Sequence, residues 1–193
     1  MKRLELRPGF VFLACLSFYL WPGRVFRSWA LLCALHEAGH LAALALCGVR
    51  VERIRLRALG AVIETGPCSH RAEALCALAG PAVNLIAFFA LRRSCPGAAL
   101  LSLALALCNL TPVYPLDGGR ALRALCSQYL PLDTVNAIDT AAAVCAMAAL
   151  GAGAIRLVPG FGLLPVWVCA LLLLHMAGER NLLLPRRGLS DIM

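Results

Sequence analysis

Residues 28–49 read SWALLCALHEAGHLAALALCGV. The stretch is long and apolar enough for a membrane-crossing helix, which needs about 20 such residues. Yet it carries His36, Glu37 and His40 in its middle. A carboxylate and two imidazoles at that depth are costly and mark a site rather than a packing surface. His36-Glu37-Ala38-Gly39-His40 is an H-E-x-x-H pattern. On a helix, residues four apart share a face, so both imidazoles reach one metal ion. Glu37, beside them, is placed to take a proton from water. In a chain of this composition the pattern arises by chance on the order of once in 400.

Working outward, the same apolar character fills the chain. Of 193 residues 61% are hydrophobic and only 15% charged, with a mean hydropathy of +0.81. A soluble domain is roughly half apolar and about a quarter charged, so lipid is the natural solvent for the excess. Further spans are expected at about Gly9–Trp21, Ala72–Leu91, Gly97–Val113, Thr134–Ile155 and Pro159–Gly178, six with the first stretch. The expected fold is an all-α polytopic membrane protein. It forms one domain over residues 1–193, with a membrane core at about 9–178 and a short tail at 179–193. No cleavable signal segment is read at the start.

Eighteen Lys and Arg face ten Asp and Glu, a formal charge of +8. In a soluble chain that would suggest nucleic acid; here it orients the spans. With the N-terminus inside, 13 of the 18 basic residues fall on the cytoplasmic side, Arg50, Arg53, Arg55, Arg57 and Arg71 among them. That bias places both termini in the cytoplasm and makes a nucleic-acid partner unnecessary. The ten cysteines sit mostly within apolar runs and form no C-x-x-C pair, so they read as small apolar filler.

One segment breaks the helical pattern. Val51-Glu52-Arg53-Ile54-Arg55-Leu56-Arg57 alternates apolar and polar residues, Gly60 follows, and Ala61-Val62-Ile63-Glu64-Thr65 is β-prone. A β-hairpin at the cytoplasmic face is expected. Its edge is either a solvated basic surface near lipid headgroups or a strand able to pair with an extended peptide.

A catalytic zinc keeps three protein ligands and one open position. Glu52, Glu64 and Glu73 are possible third ligands, but the first two lie in the hairpin. His70 and His175 read as interfacial histidines. Asp117 is better placed, in Asn109-Leu110-Thr111-Pro112-Val113-Tyr114-Pro115-Leu116-Asp117-Gly118-Gly119-Arg120. Pro112 and Pro115 end the preceding helix, and Gly118-Gly119 permit a tight turn. The competing reading of Asp117 is a cap for a helix over 121–130. In the third span, Ala79-Gly80-Pro81-Ala82-Val83-Asn84 holds a lone amide. Asn84 either ties helices together or faces the metal cavity, able to hydrogen-bond a peptide or an oxyanion.

H-E-A-G-H, A-G-P-A-V-N and N-L-T-P-V-Y-P-L-D-G-G-R, in that order and each on its own span, resemble the site-2 family of intramembrane zinc metalloproteases. The form of the last motif is most similar to the sporulation branch, that of stage IV sporulation protein FB. The resemblance implies one zinc ion held by His36, His40 and Asp117, with Glu37 as general base. It implies that Asn109 and Pro115 help position substrate, and that the hairpin borders the substrate path. It implies regulated cleavage of a membrane-associated protein, in that branch a sigma-factor precursor, in the membrane around the forespore, with a membrane-bound inhibitor as a possible partner. A C-terminal nucleotide-sensing CBS domain, common in that branch, is not expected, since 15 residues follow the sixth span. A PDZ insertion is not expected either. Two alternatives stand beside this reading: a protease with another membrane-tethered substrate, and a small transporter or assembly factor with a non-catalytic metal site. The base position of Glu37 and the lack of a repeat of spans weigh against the transporter.

Overall fold

A computed structural model describes residues 4–6, 8–21, 23–57 and 60–157. Their elements run β1 (Leu4–Leu6), α1 (Pro8–Leu20), α2 (Gly23–Leu46), β2 (Val51–Arg57), β3 (Gly60–Thr65), α3 (His70–Leu91), α4 (Pro96–Leu110), α5 (Asp117–Ser127) and α6 (Leu132–Leu157). The expected span 159–178 and the tail beyond it lie outside the described residues.

Helix α3 is the hub, packed against α2, α4 and α5. Its contacts are made by small residues. Ala74 and Ala77 on α3 meet Ala121 and Ala124 on α5, all four buried. Gly39 on α2 faces α3 so closely that a Cβ there would lie 2.9 Å from Val83 Cγ2 and 3.0 Å from the Ala79 carbonyl oxygen. Large apolar residues point the other way: Leu46 is 90% exposed, Leu31 72% and Ile86 68%. Small inside and large outside inverts the order of a soluble core. The same pattern is expected of helices packed in lipid, where close backbone approach, not apolar burial, drives association.

Two described helices, α2 and α3, are long and apolar enough to cross a membrane. Only 28% and 39% of their most apolar windows are buried, so neither is a mostly covered core helix among the described residues. Six spans were expected, and the other segments differ in length or content. Helix α1 has 13 residues. It is about 20 Å long, short of the roughly 30 Å of hydrocarbon. Helix α4 has 15 residues and ends at Leu110, because Thr111 leaves the helical conformation and Pro112 follows it. Helix α6 covers the fifth expected span with 26 residues but holds Asp133 and Asp139.

The hairpin forms as its alternation predicts. Strands β2 and β3 pair antiparallel, with Ile54 opposite Ile63 and Arg55 opposite Val62. A third strand, β1, pairs parallel with β2 and gives the order β1-β2-β3. Arg55 ties the sheet across, its Nε 3.2 Å from Glu5 Oε2 on β1 and its Nη1 2.7 Å from Glu64 Oε1 on β3. Glu64 is therefore committed to the sheet.

Candidate metal centre

Helix α2 presents His36 and His40 one turn apart, both buried. Their Nε2 atoms are 3.1 Å from each other. Asp117, the first residue of α5, brings its Oδ2 to 3.0 Å from His36 Nε2 and 3.2 Å from His40 Nε2. Three ligand atoms thus form a nearly equilateral triangle. A tetrahedral ion with bonds of about 2.0–2.1 Å separates its ligands by about 3.3 Å. The triangle is within a few tenths of an ångström of that spacing, and two imidazoles with a carboxylate are a donor set suited to zinc. Among the described residues, this is the group of His, Cys, Asp and Glu arranged to hold an ion.

The surroundings fix each ligand. His40 Nδ1 donates to the Cys76 carbonyl oxygen at 2.7 Å, which turns Nε2 toward the triangle. One residue further along α3, the Ala77 carbonyl receives no N–H from Pro81, which loosens the helix beside Cys76. Gly80 makes room: a Cβ there would come within 2.6 Å of His40 Cε1 and 2.8 Å of His36 Cε1. The Asn84 amide nitrogen lies 3.2 Å from His36 Nδ1.

Asp117 is not a cap. The position before the helix is Leu116, which makes no side-chain capping bond, and the carboxylate turns inward. Its Oδ1 lies 3.7 Å from Arg120 Nη1, so the two oxygens divide between an arginine and the histidines. Burial works against the Asp117 charge. Hydrogen bonds from His36 and His40 outweigh it and hold the carboxyl low, at about 2.

Gly118 and Gly119 serve a different purpose from the expected tight turn. Both lie in the first turn of α5, and the one positive φ among described glycines belongs to Gly48. What they supply is the absence of a side chain. A Cβ on Gly118 would collide with the Leu110 and Thr111 carbonyls, and one on Gly119 with the backbone of Val113 and Tyr114. The segment 111–116, with its cis Tyr114–Pro115 bond, wraps closely over α5 for that reason.

Glu37 is half-buried on α2, near enough to His40 and Cys33 for its charge to act on both. Asn84 is fully buried and turned to His36. Asn109 closes the last turn of α4, its Nδ2 donating to the Leu105 carbonyl at 3.0 Å. Pro115 is exposed. Neither of the last two makes a described hydrogen bond to the triangle. His70 opens α3 at the surface, Glu73 lies in that helix's first turn, and His175 lies outside the described residues. Sequence reasoning left unassigned the roles of Cys76, Gly80 and Arg120. Their spacing from Asn84 and Asp117 was visible, but their contacts depend on how α3 and α5 rotate against α2.

No family model matches the chain. A zinc metalloprotease of Methanocaldococcus jannaschii is 35% identical over 107 residues, 49% of this chain and 32% of that protein. Stage IV sporulation protein FB of Bacillus subtilis is 27% identical over 148 residues, 67% of this chain and 51% of that protein. The solved site-2 protease of M. jannaschii superposes with a TM-score of 0.61 over 88% of both chains, at 24% identity. The chain is thus similar in sequence to two zinc-protease relatives and in fold to a solved site-2 protease. It spans a third to a half of the length of the curated relatives it matches. The solved site-2 protease shares its fold, and within that fold the H-E-x-x-H helix α2 and the Asp117 end of α5 converge on one point.

Proposed function

We propose that this chain is a zinc-dependent intramembrane endopeptidase. The observation that carries the reading is the triangle of His36 Nε2, His40 Nε2 and Asp117 Oδ2, with Glu37 beside it on a helix fit to cross a membrane. The names of the two curated relatives and of the solved structure support it.

His36, His40 and Asp117 hold the ion. When bound, zinc supplies Lewis acidity, which lowers the pKa of a water and polarises a carbonyl. Glu37 takes the proton of the attacking water and returns it to the leaving amine as the peptide bond breaks. Arg120 holds the second oxygen of Asp117 and keeps that carboxylate oriented. A helical peptide bond is shielded by its own hydrogen bonds, so the substrate must be extended. Strand β3, at one edge of the three-stranded sheet, offers an edge along which an extended segment is held.

The finer reading concerns substrate and place. The substrate is a membrane-tethered protein, and the likeness to stage IV sporulation protein FB favours a sigma-factor precursor in a sporulating cell. The charge bias favours cytoplasmic termini. The test is co-expression with tethered precursors, sigma-factor precursors among them, scoring cleavage by the native chain and by Glu37→Gln. Cleavage by both equally removes Glu37 from the mechanism, and cleavage of other tethered proteins alone removes the sporulation role.

A further inference from the structure

Asn84 carries an inconsistency that points to its role. It is 0% exposed, and its Oδ1 has no hydrogen-bond partner among the described residues. Its Nδ2 lies 3.2 Å from His36 Nδ1. With the amide nitrogen placed there as donor, His36 Nδ1 is the lone-pair nitrogen and the proton of a neutral ring is on Nε2. That tautomer suits the contact of His36 Nε2 with Asp117 Oδ2 at 3.0 Å, where an N–H donates to a carboxylate. It does not suit a metal, which needs the Nε2 lone pair. With zinc on Nε2 the ring remains neutral and its proton sits on Nδ1. Nδ1–H would then point at the Nδ2 hydrogens, donor against donor, beside an amide that is wholly buried.

Given the zinc site proposed above, we infer that Asn84 is the positioning residue that selects the metal-binding tautomer of His36. A zinc ion held by Nε2 would place the proton of the neutral His36 ring on Nδ1, and a half rotation of the Asn84 amide about its Cβ–Cγ bond would turn Oδ1 toward it. Oδ1 then accepts from His36 Nδ1–H. The turn replaces a donor–donor clash by a hydrogen bond and gives the orphaned oxygen a partner. His40 differs: its Nδ1 faces the Cys76 carbonyl, an acceptor in every state, so the neutral ring turns its Nε2 lone pair to the triangle with no change of partner. Two histidines from one motif are therefore held differently: one by a fixed backbone acceptor, the other by a side chain able to present either end. Asn84 is held for this task through its own backbone, whose carbonyl accepts from Ser102 Oγ at 2.8 Å. This role replaces contact with the substrate, since the amide has no open side.

The test compares Asn84→Asp with Asn84→Leu in the purified, detergent-solubilised full chain, titrated with zinc against a competing chelator and no substrate present. Aspartate keeps an acceptor and leucine keeps only the volume. Asn84→Leu is expected to weaken zinc binding by about 10–100-fold, the usual effect of losing such a partner. Asn84→Asp is expected to bind within a few-fold of native, a margin well inside that loss. Native affinity in Asn84→Leu, or equal loss in both variants, overturns the inference. If Asn84→Leu does not give monodisperse protein, Asn84→Ala takes its place with the same readings. A second reading is KM for a cleaved substrate at saturating zinc, expected to be native in the leucine variant; a raised KM would assign Asn84 to substrate instead. The zinc titration involves no cleavage. A native chain that binds zinc yet cleaves nothing would therefore remove the protease reading and leave this one standing.

Discussion

His36 Nε2 and Asp117 Oδ2 stand 3.0 Å apart although 81 residues separate them in sequence. Two structural features bring them together. Alanines at 74, 77, 121 and 124 let α5 lie close on α3. Glycines at 118 and 119 let the first turn of α5 pass under the segment 111–116. The third ligand is therefore a product of helix packing, and its removal tests the packing and the chemistry together. Asp117→Asn keeps size and loses charge. It is expected to reduce zinc affinity by more than about 100-fold, beyond the loss typical of a supporting residue. Metal analysis after equilibration with a chelator checks this, and unchanged zinc content would remove Asp117 from the ligand set.

Glu37→Gln separates holding the metal from using it. Glu37 is not one of the three converging ligands, so zinc content is expected to stay native. The glutamine cannot take up the proton, and cleavage is expected to fall by about 10²–10⁴-fold or more, the range for general-base catalysis. Measuring both quantities on one preparation is decisive. Zinc lost together with activity would mean that Glu37 supports the site rather than the reaction.

These outcomes bear on what the sequence makes legible. The pairing of His36 and His40 was readable because H-E-x-x-H is local: residues four apart on one helix place two imidazoles on one face. The hairpin was readable because alternation from Val51 to Arg57 is also local, and β2 forms over those residues. Strand β1 was not. Leu4-Glu5-Leu6 is three residues long, and only its parallel pairing with Ile54–Leu56 makes it a strand. Composition alone makes the first apolar run a span, but helix α1 ends at Leu20 after 13 residues. The partner of Asn84 was invisible for another reason. A buried amide on a helix has neighbours on every side, and which one it meets depends on a rotation that no pattern encodes.

Gly80→Ala tests whether close approach of α3 is required at the metal. Alanine is a good helix former, so helical propensity predicts a gain. The added methyl would lie within 2.8 Å of both imidazole rings. Either α3 moves away or the histidines turn, and each change opens the triangle. Near-native helical circular dichroism with lost zinc binding is the expected pair of results. Native zinc affinity would show that the rings have room to give.

Arg123 ties α5 to α6, away from the three residues of the candidate metal centre. Its Nη1 donates to Asp139 Oδ2 at 2.5 Å and to Asn136 Oδ1 at 3.1 Å, both on α6, while its guanidinium lies over the Tyr114 ring. The Asp139 side chain is 2% exposed, and losing its partner strands a buried charge. Breaking such a pair costs about 3–5 kcal/mol, whereas replacing both partners by apolar groups is often neutral. Arg123→Ala is therefore expected to lower the unfolding midpoint in detergent clearly, and Arg123→Met with Asp139→Leu to recover most of the loss. Zinc affinity distinguishes two roles for the same pair. If the pair only stabilises the bundle, the double variant binds zinc as the native chain does. If it also sets the position of Asp117 through α5, the double variant is stable yet weaker in zinc. The second outcome is expected, because Arg123 grips at once the helix that carries Asp117 and, through Tyr114, the segment that wraps it.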